Sequence, residues 1–159
     1  MGQGRLVGIA QRAKPRAPME TLASTVVTTD HGVGSDHRGK LKPGGRGKRQ
    51  VTILSREAWE AACAEIGASV PWTVRRANLL VEGVVLPTRA GQVVQIGGVR
   101  LLVTGECDPC RRMDEAVPGL EIALTPDWRG GLTCKVLAGG EIAIGDSVDL
   151  VDERILEEV

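Results

Sequence analysis

The chain has 159 residues, with 20 Lys and Arg balanced by 20 Asp and Glu; it is long enough to bury one core and too neutral for a dedicated nucleic-acid-binding domain. Its 42% hydrophobic and 25% charged residues fit a globular protein in water. No apolar run reaches the length of a membrane span and "MGQGRLVGIAQR" lacks a signal-peptide block, so no membrane is expected and the cytoplasm is the expected location. With three Trp and neither Phe nor Tyr, the core must be built from Val, Leu, Ile and Ala. The 21 glycines favour turns and short strands over long helices.

In chain order, "GRLVGIAQR" (Gly4 to Arg12) reads as an opening strand and "STVVTTD" (Ser24 to Asp30) as a second. "HRGKLKPGGRGKR" (His37 to Arg49) then carries six Lys or Arg and four Gly with no acid. Such a segment cannot bury itself and predicts a mobile basic loop over 37–49. It is either a solvated surface or a loop that closes over an anion, because glycines let backbone N–H groups approach while the cations supply charge. No aromatic residues interleave to stack bases, which argues against nucleic acid as a partner. "QVTILS" (Gln50 to Ser55) reads as a short buried strand. Ser55 caps a main helix over residues 55–66, with Ala58, Trp59, Ala62, Cys63 and Ile66 on one face and Gly67 as its stop. Cys63 is therefore expected to be a buried structural thiol.

Beyond Pro71 the pattern reads as β. "ANLLVEGVVL" contains a strand, and "QVVQIGGVRLLVTG" (Gln92 to Gly105) is a hairpin turning at Gly97-Gly98. "LEIALT", "GLTCKVLAGG" and "DSVDLV" read as further strands, with Cys134 packed inside one. With no internal repeat and no linker, residues 1–159 are expected to form one domain with a core over about 5–151. The fold class is mostly β, a barrel with one main helix and short peripheral helices.

"TGECDPCRRM" (Thr104 to Met113) holds two of the four cysteines, at C-x-x-C spacing. Pro109 leaves Cys110 to open a new turn. Arg111 and Arg112 beside it favour a thiolate, whereas Glu106 and Asp108 around Cys107 oppose one. The pair has zinc-ligand spacing, and Cys63, Cys134, His31 and His37 exist to complete a set, but there is no second C-x-x-C. Dithiol redox chemistry, and a non-catalytic β-barrel binding module, also stay open.

Several segments together resemble the MOSC domain, the family named after the C-terminal domain of molybdenum cofactor sulfurase. "GVGSDHRGK" (Gly32 to Lys40) is similar to its early Gly/Asp/His loop, and "RANLLVEGV" (Arg76 to Val84) to its Arg-x-Asn-Leu element. The Pro109-Cys110 pair matches its Pro-Cys, and "RGGLTCKVLAGGEIAIGDSV" (Arg129 to Val148) resembles its closing hairpin with a Gly-Gly turn. The resemblance implies a β-barrel that binds molybdenum cofactor (molybdopterin) or carries sulfur as a persulfide. Cys110 is then the metal ligand or sulfur acceptor and the catalytic residue. Arg76, Asn78, Asp36, His37, Arg38 and Arg111 are the implied contacts to an anionic cofactor or small-molecule substrate. Larger relatives reduce N-hydroxylated compounds, so reductase or sulfurtransferase-like chemistry is implied for an enzyme, with a sulfur donor or redox protein as partner.

Overall fold

The structure is a computed structural model that describes residues 4–151; residues 1–3 and 152–159 of the expected domain lie outside the described residues. The first half of the chain contributes β1 (Gly4–Gln11), β2 (Glu20–Thr21), β3 (Ser24–Thr28), β4 (Gly32–Val33), β5 (Val51–Ser55), α1 (Arg56–Glu65) and β6 (Leu79–Glu82). The second half adds β7 (Val93–Ile96), β8 (Val99–Glu106), α2 (Arg111–Ala116), α3 (Leu120–Leu124), β9 (Leu132–Ala138), β10 (Gly140–Ala143) and β11 (Ser147–Val151).

Seven of these strands close a barrel in the order β1-β6-β5-β9-β8-β7-β11, and β11 returns to β1 through Gly4↔Val148 and Arg5↔Ser147. The remaining edge strands form a small sheet, β10-β3-β4, while β2 extends β1. Within the barrel, neighbours run antiparallel except β5 and β6, which are parallel and joined over α1. A parallel pair requires such a crossover. β7 and β8 pair from Ile96↔Val99, so Gly97-Gly98 makes a two-residue turn, and Gly97 takes the positive φ of +57° that this turn needs.

Two apolar clusters share the wall between them. Leu6, Ile53, Leu79, Val94, Leu101 and Val136 fill the barrel, whereas Leu54 and Leu80 point outward beneath α1, α2 and α3 with Trp59, Cys63, Leu120 and Leu124. Alternation along β5 and β6 therefore serves apolar surroundings on both faces, which explains the unbroken "TIL" and "LLV" runs. Ser55 caps α1 by accepting the N–H of Ala58 at 3.2 Å. Gly67, at φ +64°, ends the helix as expected, with Ala68 N–H donating to Cys63 O at 2.9 Å. Among the described residues no helix is long and apolar enough to cross a membrane.

Two segment readings are corrected. "LEIALT" is helical, not a strand: Leu120, Ala123 and Leu124 are buried at helical spacing while Ile122 is 75% exposed. A strand would have put Ile122 on the same face as Leu120 and Leu124; docking against α1 and α2 decides the period. Gly139-Gly140 is not the turn of a closing hairpin. β9 stays in the barrel beside β5 and β8, while β10 leaves it to pair with β3 from Gly140↔Val27 to Ala143↔Ser24.

Asn78, 1% exposed, joins three segments at one end of the barrel. Its Oδ1 accepts from Thr52 N–H at 3.0 Å and its Nδ2 donates to Ala10 O at 3.2 Å, while Ala10 N–H donates to Asn78 O at 2.7 Å. Asn78→Ala would leave a buried donor and a buried acceptor unpaired, and is expected to cost about 3 kcal/mol. Thermal denaturation should register this as a fall in Tm of roughly 6–12 °C; an unchanged Tm would contradict it.

Candidate functional site

The end of the barrel marked by Asn78 also carries a group of cations. β1 leaves the barrel at Arg12, which is 7% exposed. Its main-chain N–H donates to Asp36 Oδ1 at 2.8 Å, its Nε lies 3.5 Å from the same oxygen, and its carbonyl accepts the His37 N–H at 2.8 Å. Asp36 thereby clasps the strand end to a 3₁₀ turn over His37–Gly39, and Arg38 and His37 extend from that turn. Arg12 Nε and Asp36 Oδ2 are both buried without a hydrogen-bond partner within the described residues. Buried polar atoms are usually paired, so this pair retains unused hydrogen-bonding capacity.

Arg76 arrives from the opposite wall, immediately after the 3₁₀ turn Trp72–Arg75. Its backbone is left-handed, at φ +65°, and its Nη2 donates to Ala17 O at 2.6 Å. Arg16 is left-handed as well, at φ +64°. A non-glycine residue held there carries a local cost, and such residues gather at functional sites. Together with Arg112 from the first turn of α2, these residues line a cleft of about 720 Å³. Lys40, Lys42, His37 and Arg38 form its other wall, and Pro15, Leu41 and Pro43 supply its apolar surface. No carboxylate lines the cleft; Asp36 lies buried beside it.

The electrostatic result is mutual repulsion. Burial holds Arg12 below its ordinary pKa, with Asp36 opposing and Arg76 adding to the shift. Burial likewise lowers Arg38, reinforced by Arg12 and Arg49, and lowers Arg76, reinforced by Arg112 and Arg38. Guanidinium groups stay protonated under such shifts, so the cleft holds several like charges close together.

The C-x-x-C loop is secured from below by Arg75, 7% exposed, which reading the sequence did not single out. Its Nε donates to Gly130 O at 2.9 Å, and its Nη2 donates to Cys107 O at 2.7 Å and lies 3.3 Å from Cys107 Sγ. Gly130 permits this approach: a Cβ there would stand 2.7 Å from Cys107 O. Cys107 is buried, with its Sγ against the Arg75 guanidinium. Cys110 is exposed and occupies the position before α2, where its side chain makes no capping hydrogen bond. Burial pushes the thiols of Cys63 and Cys134 up, as their apolar settings require. Burial and then the adjacent Asp108 push Glu106 up on the outer side of the loop.

Of the residues named from sequence, His37, Arg38 and Arg76 line the cleft directly, and Asp36 orients Arg12 beneath it. Arg112 lines it and Arg111 does not. The amide of Asn78 is engaged by Thr52 and Ala10, so it positions the strand ends that carry Arg12 and Arg76. Cys110 stands one residue before α2 and is not among the lining residues. Sequence reading missed Arg12, Arg16 and Arg75. Arg12 closing the alternating "GRLVGIAQR" strand was the available signal, because a charge ending a barrel strand lies at the rim. Among the described residues no three His, Cys, Asp or Glu side chains gather as a metal site, so the zinc reading lacks its further ligands.

Fold and site define a small β-barrel protein with a basic cleft beside a two-cysteine loop. The chain belongs to the MOSC domain family, whose model matches residues 28–149. Among solved structures it is similar to the YuaD protein from Bacillus subtilis, at 20% identity and a TM-score of 0.77, covering 93% of this chain and 95% of that one. It is also similar to YiiM from Geobacillus stearothermophilus, at 17% identity and a TM-score of 0.70, covering 94% and 75% of the two chains. YiiM from Escherichia coli gives 15% identity and a TM-score of 0.66 over 93% and 70%. At these identities the likeness is one of fold. No functionally curated protein matches the sequence.

Arg76→Gly separates stability from binding. Glycine adopts the left-handed backbone at less cost and the change removes a repelled charge, offsetting the lost bond to Ala17, so Tm should stay within about 2 °C or rise. Affinity for inorganic phosphate, measured by calorimetry, should fall by about tenfold. A large loss of Tm with unchanged phosphate affinity would show that Arg76 serves the fold alone.

Proposed function

We propose that this MOSC protein binds a phosphate-bearing molybdenum–pterin cofactor in the basic cleft and uses Cys110 as its sulfur ligand. The observation that carries the reading is the cleft itself: about 720 Å³, lined by Arg and Lys, with no carboxylate on its surface. The donor set fits such a group. Arg12, Arg38 and Arg76 would hold the phosphate through charge-assisted bonds. A thiolate is a soft ligand suited to molybdenum, and Cys110 is the exposed cysteine, outside the lining and two residues before Arg112 of the cleft wall. The cofactor, when bound, supplies two-electron redox chemistry. The chain's own residues bind its phosphate, neutralise it and orient it toward the cysteine loop. Arg75 holds that loop in place and is a positioning residue.

The same thiol suits sulfur carriage. Its thiolate attacks the outer sulfur of a persulfide donor, the donor's thiolate leaves, and Cys110 retains the sulfur as a persulfide. One observation favours a second reading, in which Cys107 is the reactive sulfur: Arg75 Nη2 lies 3.3 Å from its Sγ. Burial opposes that reading, since Cys107 is 9% exposed.

Elemental analysis and intact mass of freshly purified protein test the cofactor directly, with molybdenum and pterin in equal amounts as the expected result. Limiting iodoacetamide followed by peptide mapping should label Cys110 first, Cys107 more slowly, and Cys63 and Cys134 last. Cys110→Ser should abolish metal or sulfur loading, while Cys107→Ser should retain most of it. Equal loss from both substitutions would favour the dithiol reading, and first labelling at Cys63 or Cys134 would overturn the site.

A further inference from the structure

The basic cleft has a neighbour. A smaller hollow of about 190 Å³ lies beside it, lined by Lys48, Arg49 and Gln50 and by glycines of the same loop. The two share Arg38, Lys40, Leu41 and Lys42 as a common wall. They are electrically connected, because Arg49 contributes to lowering the pKa of Arg38, which faces both.

The second hollow is anchored at its edges. Gln50 Nε2 donates to Thr29 O at 2.8 Å and to Gly39 O at 3.2 Å, and its Oε1 accepts from Val136 N–H at 3.1 Å. Thr104 Oγ1 donates to Lys48 O, and Leu41 N–H donates to Asp30 O at 2.8 Å. The backbone carrying Lys48 is therefore tied to β8, and the residue after Arg49 to β9. Lys48 and Arg49 are thus flanked by main chain bonded to the barrel at Lys48 O and Gln50.

We infer that the site takes a diphosphate ester, with one phosphate among Arg12, Arg38 and Arg76 and the second reaching Lys48 and Arg49 across the shared wall. This rests on the reading of the main cleft as the phosphate site and specifies its ligand further. Charge supports it, since a phosphate monoester carries about two negative charges, fewer than the cations around either hollow. Size supports an ester over a free anion. The main cleft exceeds what a phosphate group fills, and Pro15, Leu41 and Pro43 give an organic substituent apolar surface.

Calorimetry on the full chain at constant ionic strength, with inorganic phosphate, pyrophosphate, tripolyphosphate and ADP, tests this. Pyrophosphate should bind one per chain and at least about tenfold tighter than phosphate, and ADP at least as tightly as pyrophosphate. Lys48→Ala with Arg49→Ala should weaken pyrophosphate by about tenfold and phosphate by much less, with Tm confirming the fold. Equal affinity for phosphate and pyrophosphate would overturn the second subsite. A further equal gain with tripolyphosphate, or equal losses of both anions in the double variant, would reduce it to general attraction of polyanions. ADP binding more than tenfold weaker than pyrophosphate would overturn the ester. If phosphate binds and Cys110 labels first while pyrophosphate gains nothing, the diphosphate assignment alone falls. If neither anion binds, the phosphate reading of the cleft falls with it.

Discussion

Asp36 is buried where β1 leaves the barrel, and its carboxylate accepts the Arg12 main-chain N–H while lying close to the Arg12 side chain. Burying an ion pair is expensive and is often neutral or unfavourable for stability compared with apolar packing. Here the pair does geometric work. With His37 N–H bonded to Arg12 O, it locks the strand end to the 3₁₀ turn, so Arg12, His37 and Arg38 reach the cleft from one rigid junction. It also sets the charge of the site. Asp36 is the counter-ion beneath a wall of guanidinium and ammonium groups, and most of that positive charge stays unmatched within the described residues.

The barrel makes such a concentration of charge tolerable. Its interior of aliphatic side chains, and the second cluster under α1, α2 and α3, hold the backbone without help from the cleft residues. Asn78 stitches β1 to β5 at the rim; it follows Arg76 by two residues and bonds Ala10, two residues before Arg12. The left-handed backbone at Arg16 and Arg76 belongs to the same arrangement, in which surrounding structure sustains a local cost at the cleft. Under the proposed function, a phosphate would meet donors already in place, which lowers the ordering cost of binding.

The two-cysteine loop is organised by different means. Arg75 lies beneath it and gathers carbonyls of Gly130, Cys107 and Asp108. Its guanidinium holds Cys107 inward while the chain turns at Pro109 and presents Cys110 outside, at the start of α2. The three-residue spacing therefore places two thiols in unlike surroundings, one buried against a cation and one exposed. That asymmetry distinguishes the loop from a zinc knuckle, in which both sulfurs would face a common centre.

Local pattern alone determined much of this architecture. Alternating aliphatics, glycine turns and the Ser55-capped helix depend on backbone geometry and neighbouring residues, and they specified a mostly β chain with α1 in its observed place. The ordered motifs around Gly32, Arg76, Pro109-Cys110 and Arg129 carry the resemblance to the family, whose model matches residues 28–149. Short apolar segments were ambiguous. "LEIALT" suits either period until α1 and α2 present a surface that buries Leu120, Ala123 and Leu124 together. The partner of β10 was equally hidden, because pairing with β3 joins residues more than a hundred positions apart. The cleft depended on tertiary structure most of all. Arg12, Arg38, Arg76 and Arg112 are dispersed along the chain, and only closing the barrel brings their charges within reach of one another. Sequence determined which residues could carry the charge, whereas the folded geometry decided which of them share it, since Coulomb interactions depend on distance in space rather than separation along the chain.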